Sequence, residues 1–372
     1  MRILITGGAG FIGSHLADRF LREGSKVRIL DNLHPRVHPK GRPTYLASQV
    51  EFVLGDVTSY TDWERALSGV DMVSHQAAYQ DYAPDYSEFA RVNVTGTALL
   101  FEVIAAKKLP IRRIVLASSQ AVYGEGQYYC AVHGLVLPSS RNIESLEGGA
   151  WEVSCPECGS FLRPALLDER HPNPLSPYGI SKYAGEVTAL KLGAFLGIPC
   201  VALRYSITQG PRQSLFNQYS GIARIFALRL LNAQRPIAFE DGLMQRDYVH
   251  VLDVVEANWI AMNDERAVGM AFNVGSGVPT TVLEYAERLA QRMGLDIRPD
   301  VPGVYRRGDA RHSVSSIEKL KELGWQPRRK LDDILDDFLR WIDSLGGLDS
   351  ALSDNHQKLL EMQVLRLSSS CK

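Results

Sequence analysis

The sequence of 372 residues predicts an α/β protein whose core is a doubly wound parallel sheet, and three features support this prediction. Short apolar runs rich in Ile, Leu and Val recur through the first third of the chain, with helical patterns between them. A glycine-rich loop follows the first run, and small or polar residues follow the others. Strands that alternate with helices form parallel sheets, which bind ligands at the carboxyl ends of their strands.

The first apolar run, residues 2–6, leads directly into a glycine loop and then into a helical pattern. Gly7 permits a tight turn, Gly10 lets the backbone approach a pyrophosphate, and Gly13 lets the helix pack closely on the strand. The anion would then bind to unpaired amides at the helix N-terminus, where Phe11 and Ile12 lie. This loop predicts a dinucleotide-binding site.

The second run, residues 27–30, ends at Asp31, about 20 residues beyond the glycines. A carboxylate at this point accepts hydrogen bonds from both ribose hydroxyls of NAD and repels the 2′-phosphate of NADP. NAD is therefore the predicted cofactor, although Arg28 and Arg36 are close enough in sequence to leave NADP open.

Further strands are predicted at residues 52–54, 72–75 and 114–117, and each is followed by small or polar residues. Asp56 and Val57, after the first of these strands, could line an adenine pocket or form an ordinary turn. The other candidates at strand ends for contact with the cofactor are Asn32, Gln76, Ala77 and Ala78.

A tyrosine and a lysine four residues apart, Tyr178 and Lys182, follow Pro177 near the start of a predicted helix. This spacing places both side chains on one helix face. A tyrosine with a pKa near 10 is a poor base, so a neighbouring ammonium and the positive nicotinamide of NAD⁺ are expected to lower that pKa. Ser119, at the end of an earlier strand, supplies a hydroxyl that can hydrogen-bond the reacting substrate oxygen.

Together these motifs resemble those of the extended short-chain dehydrogenase/reductase family, in particular its nucleotide-sugar epimerases and dehydratases. The resemblance implies a Rossmann fold and a catalytic triad of Ser119, Tyr178 and Lys182. It also implies that Tyr178 and Lys182 contact the cofactor, and that Asn93, the family's structural asparagine, and Tyr205 lie beside it.

The same resemblance implies a substrate site for a nucleotide-diphosphate sugar. Arg246, in the segment R-D-Y-V-H-V, and Arg306, in the segment R-R-G-D, match arginines that hold the diphosphate in the family. Two such arginines in a chain with a formal net charge of -1 favour a paired anion clamp. Ser206 stands where the family usually has asparagine, which puts one substrate contact in doubt.

The residues after the catalytic serine bear on the reaction type. Family dehydratases carry an Asp-Glu pair at this point, whereas this chain has Gln120 and Ala121. Without that acid and base the elimination of water has no catalyst, so a dehydratase is disfavoured. A 4-epimerase that works through a 4-keto intermediate and a simple 4-reductase or dehydrogenase both stay open. In either, Ser119, Gln120 and Tyr178 are predicted contacts of the sugar.

Residues 127–168 form an insert that other members of the family replace with a short loop. It contains C-x-x-H, at Cys130 and His133, and C-P-x-C-G, at Cys155 and Cys158. This spacing is typical of a zinc knuckle, in which each pair closes a turn around one tetrahedral ion. Because three Cys and one His fill the coordination sphere, the predicted zinc is structural, and free thiols or a redox pair are the alternatives.

The insert and two further segments, G-P-R-Q-S-L-F-N at 210–217 and F-E-D-G at 239–242, resemble more narrowly the subfamily of bacterial dTDP-L-rhamnose 4-epimerases. That resemblance implies interconversion of dTDP-L-rhamnose and dTDP-6-deoxy-L-talose. Neither the thymine nor the 6-methyl group follows from the residues themselves, so UDP-glucose or UDP-glucuronate 4-epimerase remains an alternative.

Two domains are predicted. The NAD-binding Rossmann domain takes residues 1–205, with the insert, and 246–277, and a smaller α/β substrate-binding domain takes 206–245 and 278–345. The family resemblance covers these two domains apart from the insert and implies a homodimer formed through the helices near 93–107 and 178–195.

Residues 346–372 are predicted to be a C-terminal tail. Apolar residues at helical spacing indicate a short amphipathic helix, and a polar Ser-rich end is expected to fray. The apolar positions of that helix are Leu352, Leu359, Leu360 and Val364.

The composition of the chain bears on which binding partners and which cellular location are expected. The formal net charge of -1 gives no electrostatic reason to expect nucleic acid or a membrane surface as a partner. No apolar run reaches the length of a membrane span, and the N-terminus does not resemble a signal peptide. Five cysteines in 372 residues indicate no disulfide scaffold, so a reducing, cytoplasmic location is expected.

A non-catalytic, NAD-sensing regulator of the same fold is the rival class, and the presence of both Tyr178 and Lys182 disfavours it.

Overall fold

The computed structural model describes residues 1–81, 84–215, 221–346, 360–361 and 364–368. In chain order the strands are β1 (Arg2–Thr6), β2 (Lys26–Asp31), β3 (Glu51–Leu54), β4 (Met72–His75), β5 (Arg113–Ser119), β6 (Gln127–Cys130), β7 (Gly134–Val136), β8 (Arg163–Ala165), β9 (Cys200–Tyr205), β10 (Ile207–Gln209), β11 (Gln245–Arg246), β12 (Tyr248–His250), β13 (Ala271–Val274), β14 (Thr280–Thr281), β15 (Val304–Arg306), β16 (His312–Ser313) and β17 (Leu365–Leu367).

The α-helices are α1 (Phe11–Arg22), α2 (Tyr60–Leu67), α3 (Tyr86–Ala90), α4 (Gly96–Lys107), α5 (Ile143–Glu147), α6 (Pro177–Leu196), α7 (Ile222–Leu231), α8 (Val251–Asn263), α9 (Val282–Arg292), α10 (Glu318–Lys321) and α11 (Leu331–Ser344). A π turn, Arg91–Thr95, joins α3 to α4, and 3-10 turns occupy Gln120–Tyr123 and Glu265–Ala267.

In the described part of the chain, seven strands form one parallel sheet in the order β3-β2-β1-β4-β5-β9-β13. The order runs outward from β1 in both directions, so the carboxyl ends of β1 and β4 flank the crevice in which such sheets bind ligands. This confirms the predicted doubly wound α/β sheet. The five strands predicted from apolar runs all belong to it, with small differences at their ends.

Helices cover both faces of the sheet because successive side chains of a strand alternate between the two faces. Ile3 and Ile5 of β1 pack under α1 and α8. Leu4 points to the opposite face, where it joins a core with Trp63 of α2 and Leu100 of α4. All five side chains are fully buried. Burial on both faces explains why the strands appear in the sequence as continuous apolar runs.

A second core lies outside the sheet, between α7, α9 and α11, where Tyr285 and Phe338 are fully buried. Its three helices fall within the range predicted for the substrate-binding domain, and that division into domains stays a prediction. Residues 317–325 belong to the same predicted range. Leu320 and Trp325 of this segment are buried against the parallel sheet, with α8 beside them, because their apolar side chains face that core.

The insert forms a small antiparallel sheet in the order β7-β6-β8. Its own apolar core consists of Tyr128, Cys130, Val153, Cys155 and Leu162. Outside that core, Trp151 contacts Tyr305 of β15, with ring centroids 6.2 Å apart. The insert therefore packs against the segment that carries the second predicted clamp arginine.

Residues 365–367 also pack against the segment that carries Arg306. β17 pairs antiparallel with β15, and Leu365 lies opposite Arg306. Ser368 is fully buried, and its Oγ donates to the carbonyl oxygen of Glu147 in the insert at 3.0 Å. Pairing with the edge of β15 satisfies backbone groups that a frayed end would leave in water.

The predicted helix and frayed end are therefore wrong at residues 364–368. Leu360 lies in a short helical turn, 360–361, whereas Val364 is not helical. Leu352 and Leu359, together with residues 369–372, lie outside the described residues.

One helical segment among the described residues has the length and apolar character of a membrane span, Tyr86–Lys107, which comprises α3, the π turn and α4. The prediction that no segment reaches that length is therefore wrong by length and composition. Within the protein, 44% of its most apolar stretch is buried, and Leu100 and Phe101 pack in the core beneath the sheet. A core helix meets the same criteria as a membrane span.

Candidate active site

The glycine loop between β1 and α1 is packed too tightly at Gly7 and Gly13 to accept side chains there. Gly7 has a φ of +62°, and a Cβ at this position would lie 2.9 Å from the Cα of Ala77. A Cβ on Gly13 would overlap the carbonyl oxygen of Gly7. The loop and the first turn of α1 are thus brought into direct backbone contact, as the spacing of the glycines predicts.

The first turn of α1 faces the predicted pyrophosphate position. Gly10 precedes the helix and provides no side-chain cap, and Phe11 and Ile12 are the first two helical residues. The first amides of a helix have no partner within it, so they are available to an anion.

Asp31 ends β2 beside this loop. One carboxylate oxygen accepts the amide of Ala9 at 3.0 Å, and the other accepts the amide of Leu33 at 2.9 Å. Each oxygen can accept a further hydrogen bond, which leaves capacity for two ribose hydroxyls. Burial raises the pKa of this carboxyl, and the two amides oppose that rise.

The two arginines that leave NADP open both have protein partners. Arg28 is buried, pairs with Glu51 at 2.8 Å and donates to the carbonyl oxygen of Ala66 at 2.7 Å. Arg36 pairs with Asp81. A 2′-phosphate would therefore have to break an existing ion pair to reach Arg28, whereas Arg36 is 57% exposed and keeps further N–H donors.

The next cofactor candidates lie at the ends of β2 and β3. Asn32 follows Asp31 and donates to the carboxylate of Asp56 at 2.9 Å. Val57 is buried beneath α4, close to Gly96. Burial would raise the pKa of Asp56, but hydrogen bonds from the backbone of Thr58 and from Asn32 lower it overall.

The candidates on the other side of the crevice follow β4 and end β9. Gln76 and Ala77 are half-buried and Ala78 is exposed. The hydroxyl of Tyr205 donates to the side-chain oxygen of Gln76 at 3.1 Å and also contacts Asn258 of α8. Hydrogen bonds therefore connect the ends of β4 and β9 with α8 on this side of the crevice.

Asn93 lies in the π turn before α4 and bonds only to protein groups among the described contacts. Its side-chain oxygen accepts the amide of Tyr79 at 2.7 Å, and its side-chain nitrogen donates to the carbonyl of Tyr79 and to Ser181 Oγ at 3.0 and 2.9 Å. Asn93 thus joins the loop after β4 to the helix that carries the catalytic candidates. These hydrogen bonds are compatible with the structural role that the family resemblance implies, and the place of Asn93 beside the cofactor stays a prediction.

The three catalytic candidates meet at the carboxyl end of β5. Ser119 ends that strand and hydrogen-bonds Tyr178, which lies in the first turn of α6. Lys182 follows one turn later and is buried. A Cβ on Gly179 would overlap the carbonyl oxygen of Ala121, so this glycine lets the start of α6 approach the end of β5 closely.

Burial dominates the ionisation of the pair. It raises the pKa of Tyr178 to about 12, and the hydrogen bond with Ser119 offsets part of that rise. It also lowers the pKa of Lys182 to about 8, while the carboxylate of Glu186 opposes this decrease. The buried site therefore disfavours both charges, and the lowering of the pKa of Tyr178 that is expected from the ammonium and the positive nicotinamide together stays a prediction.

A buried ion pair that the sequence analysis missed lies directly beyond Lys182. Glu186, a further turn along α6, accepts two hydrogen bonds from Arg204 at 2.6 and 3.0 Å and one from Ser118 at 2.6 Å. Both charged side chains are almost completely buried. The signal in the sequence is the spacing of four residues between Lys182 and Glu186, which places them on one helix face.

Gln120 and Ser206 lie together in a buried polar group. The amide nitrogen of Gln120 donates to Ser206 Oγ at 3.2 Å and to Ser315 Oγ at 2.9 Å. Ser206 in turn donates to the buried carboxylate of Asp247 at 3.1 Å. Gln120 is thus an amide held by hydroxyls at the position where a dehydratase has an acid, and Ser315 and Asp247 are residues that the sequence analysis missed.

Asp309 brings the two predicted clamp arginines together. One of its carboxylate oxygens lies 3.3 Å from Arg246 and the other lies 2.8 Å from Arg306. Arg246 also donates to the carbonyl oxygens of Ala310 and Arg311 at 2.8 and 3.1 Å. Burial would raise the pKa of Asp309, but the guanidinium groups of Arg306 and Arg246 lower it overall.

The four predicted metal ligands converge in the insert. The donor atoms of Cys130, His133, Cys155 and Cys158 all lie within 4.8 Å of one another. Cys130 Sγ is 3.8 Å from Cys158 Sγ, and His133 Nδ1 is 3.6 Å from Cys130 Sγ and 3.5 Å from Cys155 Sγ. With Zn–S distances of about 2.3 Å, tetrahedral geometry separates ligand atoms by roughly 3.5–3.8 Å, so the donor set fits one zinc ion.

A glycine follows each pair of these ligands. Gly134 comes after His133 with a φ of +73°, and Gly159 comes after Cys158 with a φ of +70°. Both values lie in the left-handed region that favours glycine, which accounts for the tight turns around the four donor atoms.

Family models and relatives match most of the chain. The NAD dependent epimerase/dehydratase family matches residues 3–133, and the GDP-mannose 4,6 dehydratase family matches residues 159–338. A dTDP-L-rhamnose 4-epimerase of Burkholderia thailandensis is 35% identical over 349 residues, which cover 92% of this chain and 94% of that protein. A putative UDP-glucose 4-epimerase of Methanocaldococcus jannaschii is 33% identical over 91% of this chain and 98% of its own length.

Solved structures agree with these matches. The UDP-glucose 4-epimerase of Thermotoga maritima, determined with UDP-glucose, superposes with a TM-score of 0.74 at 30% identity and covers 93% of this chain and 99% of its own. The UDP-glucose 4-epimerase of Thermus thermophilus, determined with NAD, gives a TM-score of 0.72 at 29% identity, with coverage of 92% and 98%. With the parallel sheet, the glycine loop and the Ser-Tyr-Lys group in place, the chain belongs to the NAD-dependent epimerase/dehydratase family of extended short-chain dehydrogenases/reductases.

Proposed function

We propose that the protein is an NAD-dependent nucleotide-sugar 4-epimerase. The observation that carries this proposal is the hydrogen bond between Ser119 and Tyr178 at the carboxyl end of β5, with Lys182 one helical turn away. A sugar hydroxyl that contacts both oxygens can be deprotonated beside the crevice between β1 and β4. Relatives named as 4-epimerases, matched over nearly the whole chain, support the same reaction.

The glycine loop, the first turn of α1 and Asp31 fit a dinucleotide, since the loop admits no side chain at Gly7 or Gly13 and the Asp31 carboxylate accepts the loop amide of Ala9. Bound NAD⁺ would accept a hydride from C4 of the sugar and return it to the opposite face. Tyr178 takes the proton of the 4-hydroxyl and gives it back after the sugar has turned. Ser119 holds the sugar oxygen through a hydrogen bond, and the ammonium of Lys182 stabilises the phenolate.

Arg246 and Arg306 would hold the diphosphate during this turn. Their guanidinium groups meet on Asp309, so they are close enough to bind one diphosphate between them. Gln120 supplies an amide where elimination of water needs an acid, which supports epimerisation over dehydration. A 4-reductase or dehydrogenase that uses the same triad once is the second candidate.

The substrate we propose is dTDP-L-rhamnose, interconverted with dTDP-6-deoxy-L-talose through a 4-keto intermediate. The similarity to the Burkholderia thailandensis enzyme of that name supports it. UDP-glucose and UDP-glucuronate are the alternative substrates, and UDP-glucose 4-epimerases among the relatives favour the first of these.

Incubation of the purified protein with NAD⁺ and each sugar nucleotide in turn, with NMR to resolve the 4-epimers, tests the reaction and the substrate together. A 4-epimer formed without added NADH is the expected result. Stoichiometric formation of NADH together with a 4-keto sugar would favour the dehydrogenase or reductase, and no conversion of any of the three sugars would contradict the proposal.

Tyr178→Phe removes the proposed proton acceptor and should lower kcat by about 10²- to 10⁴-fold. Tyr183→Phe, five residues further along the same helix, is the matched control, because Tyr183 packs on Val122 and Leu167 and has no proposed chemical role. Full turnover by the Tyr178 variant would exclude the proton relay.

We further propose that the insert holds a structural zinc ion on Cys130, His133, Cys155 and Cys158. The distances between the donor atoms support this, and a reducing cytoplasm would keep the thiols available. Metal analysis of the purified protein should give about one zinc per chain. Cys158→Ser should lose the metal, whereas Cys200→Ala, at a buried cysteine of the parallel sheet, should retain it.

A homodimer through α4 and α6 is also proposed. Ile180, Val187 and Phe195 lie on α6 and are 53%, 39% and 84% exposed, which is costly for apolar side chains unless a partner covers them. Val187→Glu should give a monomer in analytical ultracentrifugation. Leu243→Glu, an exposed apolar position outside α4 and α6, should leave the dimer intact.

A further inference from the structure

We propose that the insert positions Arg246 and Arg306, called here the arginine clamp, through a buried ionic cluster. The cluster is defined by the six side chains of Glu125, Arg141, Glu152, Glu240, Asp241 and Arg311. The inference rests on the proposed function to the extent that Arg246 and Arg306 bind the diphosphate of a sugar nucleotide. It assigns a positioning role to residues outside the predicted substrate and cofactor contacts.

Arg141 of the insert joins three parts of the chain. Its two terminal nitrogens donate to the carboxylate of Glu240 at 3.0 and 2.8 Å. The same nitrogens donate to the carbonyl oxygen of Trp151 at 3.1 Å and to that of Asp309 at 2.8 Å. The side chain of Arg141 is 5% exposed and that of Glu240 is completely buried, so this pairing is shielded from water.

Arg311 completes the cluster from the other side. Its guanidinium is fully buried and pairs with Glu240 at 3.0 Å, with Asp241 at 2.6 Å and with Glu152 of the insert at 2.6 Å. Its backbone amide donates to the carboxylate of Glu125 at 2.7 Å. Both the side chain and the backbone of this residue are therefore fixed by acidic groups in or next to the insert.

Residues 309–311 link the cluster to the clamp. The insert holds this short segment through the carbonyl of Asp309 and the guanidinium of Arg311, and Glu125, just before the insert, holds the backbone amide of Arg311. The segment holds Arg246 through the carbonyls of Ala310 and Arg311, and the carboxylate of Asp309 contacts both clamp arginines. A shift of the segment would move the guanidinium groups that are proposed to meet the diphosphate.

The conformation of Glu240 shows how firmly this arrangement is held. Its φ is +57°, a left-handed value that is uncommon for residues other than glycine. Its amide donates to the carbonyl of Val304, at the start of the strand that carries Arg306, at 2.7 Å. Such a conformation persists only when the surroundings fix it, and here two buried guanidinium groups do so.

This arrangement also explains why the F-E-D-G segment and the insert belong together. Glu240 and Asp241 come from that segment, and the insert supplies Arg141 and Glu152 to the same cluster. Without the insert, Glu240 would lose one of its two guanidinium partners while it stays buried, which is strongly unfavourable. The segment and the insert therefore depend on each other.

Arg141→Met tests the inference, with thymidine diphosphate, UDP and NAD⁺ as probes in titration calorimetry. The variant should bind the nucleoside diphosphates about tenfold more weakly, because the clamp loses its support, while its affinity for NAD⁺ stays within about twofold. The KM for the sugar nucleotide should rise similarly with little change in kcat. Arg141→Lys keeps the charge and should recover part of the loss.

Glu152→Gln is a milder second variant, because the Glu152 side chain is 43% exposed and this substitution should not prevent folding. It should weaken binding of the nucleoside diphosphates in the same direction. Glu265→Gln is the matched control: an exposed glutamate paired with a buried arginine, Arg113, on the parallel sheet, whose loss should leave all three affinities unchanged.

The outcomes separate the two proposals. If the unmodified protein binds neither thymidine diphosphate nor UDP, the proposed function and the positioning role both fail. If it binds them and the Arg141 and Glu152 variants bind equally well, only the positioning role fails. If a variant loses affinity for NAD⁺ and nucleoside diphosphate in parallel, the cluster stabilises the whole fold rather than the clamp, and the inference is wrong.

Discussion

The carboxylate of Glu186 raises the pKa of Lys182 from one helical turn away, against the effect of burial, which lowers that pKa to about 8. Glu186→Gln removes the negative charge and should therefore lower the pKa of Lys182 further. If turnover needs the ammonium, the alkaline limb of kcat/KM moves to lower pH. The pH–rate profiles of the two proteins measure this shift.

A general loss of stability would not produce a directional shift in that profile. Asp253→Asn is a suitable control, because Asp253 is another buried carboxylate with an arginine partner, Arg329, but it lies on α8. It should leave the alkaline limb in place. An alkaline limb that stays fixed or moves upward in the Glu186 variant would contradict the electrostatic role of that residue.

Lys182 should also reduce stability at neutral pH. Its pKa is about 8 in the folded protein against 10.5 ordinarily, so below pH 8 folding must bury a charge that water would solvate. This unfavourable contribution to the free energy of folding is complete below pH 8. It decreases as the pH rises from about 8 towards 10.5, the ordinary pKa of lysine, and is absent above that value. Lys182→Met should therefore be more stable than the unmodified protein by about 1–3 kcal/mol at pH 7 and almost inactive.

Urea denaturation of both proteins at several pH values checks this. The unmodified protein should gain stability relative to the variant as the pH rises above 8. Equal stability at pH 7, or a variant that is less stable there, would mean that the ammonium is better compensated than burial implies.

The choice between NAD and NADP should depend on the charge of Asp31. Asp31→Asn keeps the size of the side chain but removes the repulsion of a 2′-phosphate, so the ratio of NADP⁺ to NAD⁺ affinity should rise by about tenfold. Asp56→Asn, at the end of the next strand, should leave that ratio unchanged. Fluorescence titration with both cofactors gives the ratio, and no change in the Asp31 variant would assign the discrimination to other groups.

Two glycines of the loop should have different functions. A Cβ on Gly13 would overlap backbone atoms of Gly7 and Gly8, which cannot move cheaply, so Gly13→Ala should lower the melting temperature. A Cβ on Gly10 would meet only the carbonyl oxygen of Gly7, at 3.2 Å, so Gly10→Ala should fold normally but obstruct the pyrophosphate. Thermal unfolding and NAD⁺ titration of both variants separate the effects, and similar results for the two would contradict this division.

The sequence was most informative where function depends on local spacing. The glycine loop, Asp31 and the Ser-Tyr-Lys group are each defined by a few neighbouring residues and a strand or helix with a clear pattern. Continuous apolar runs predicted the strands of the parallel sheet because those strands are buried on both faces. The four proposed metal ligands converge for the same reason, since two short motifs each close one turn.

Features that depend on contacts between distant segments were not predictable in this way. Arg141, Glu240 and Arg311 look like ordinary surface charges in the sequence, and only the folded chain buries them together. The burial that raises the pKa of Tyr178 does not follow from its spacing to Lys182, because spacing reports proximity but not the loss of solvent around both groups. Nothing in the local sequence around Trp325 indicates that its side chain packs against the parallel sheet.

The pairing of β17 with β15 also connects two segments far apart in sequence at the proposed clamp. Among the described residues, the strand that carries Arg306 has residues 365–367 as its paired neighbour. A substitution that weakens β17 should therefore also disturb the backbone that holds Arg306, although the two segments are about 60 residues apart.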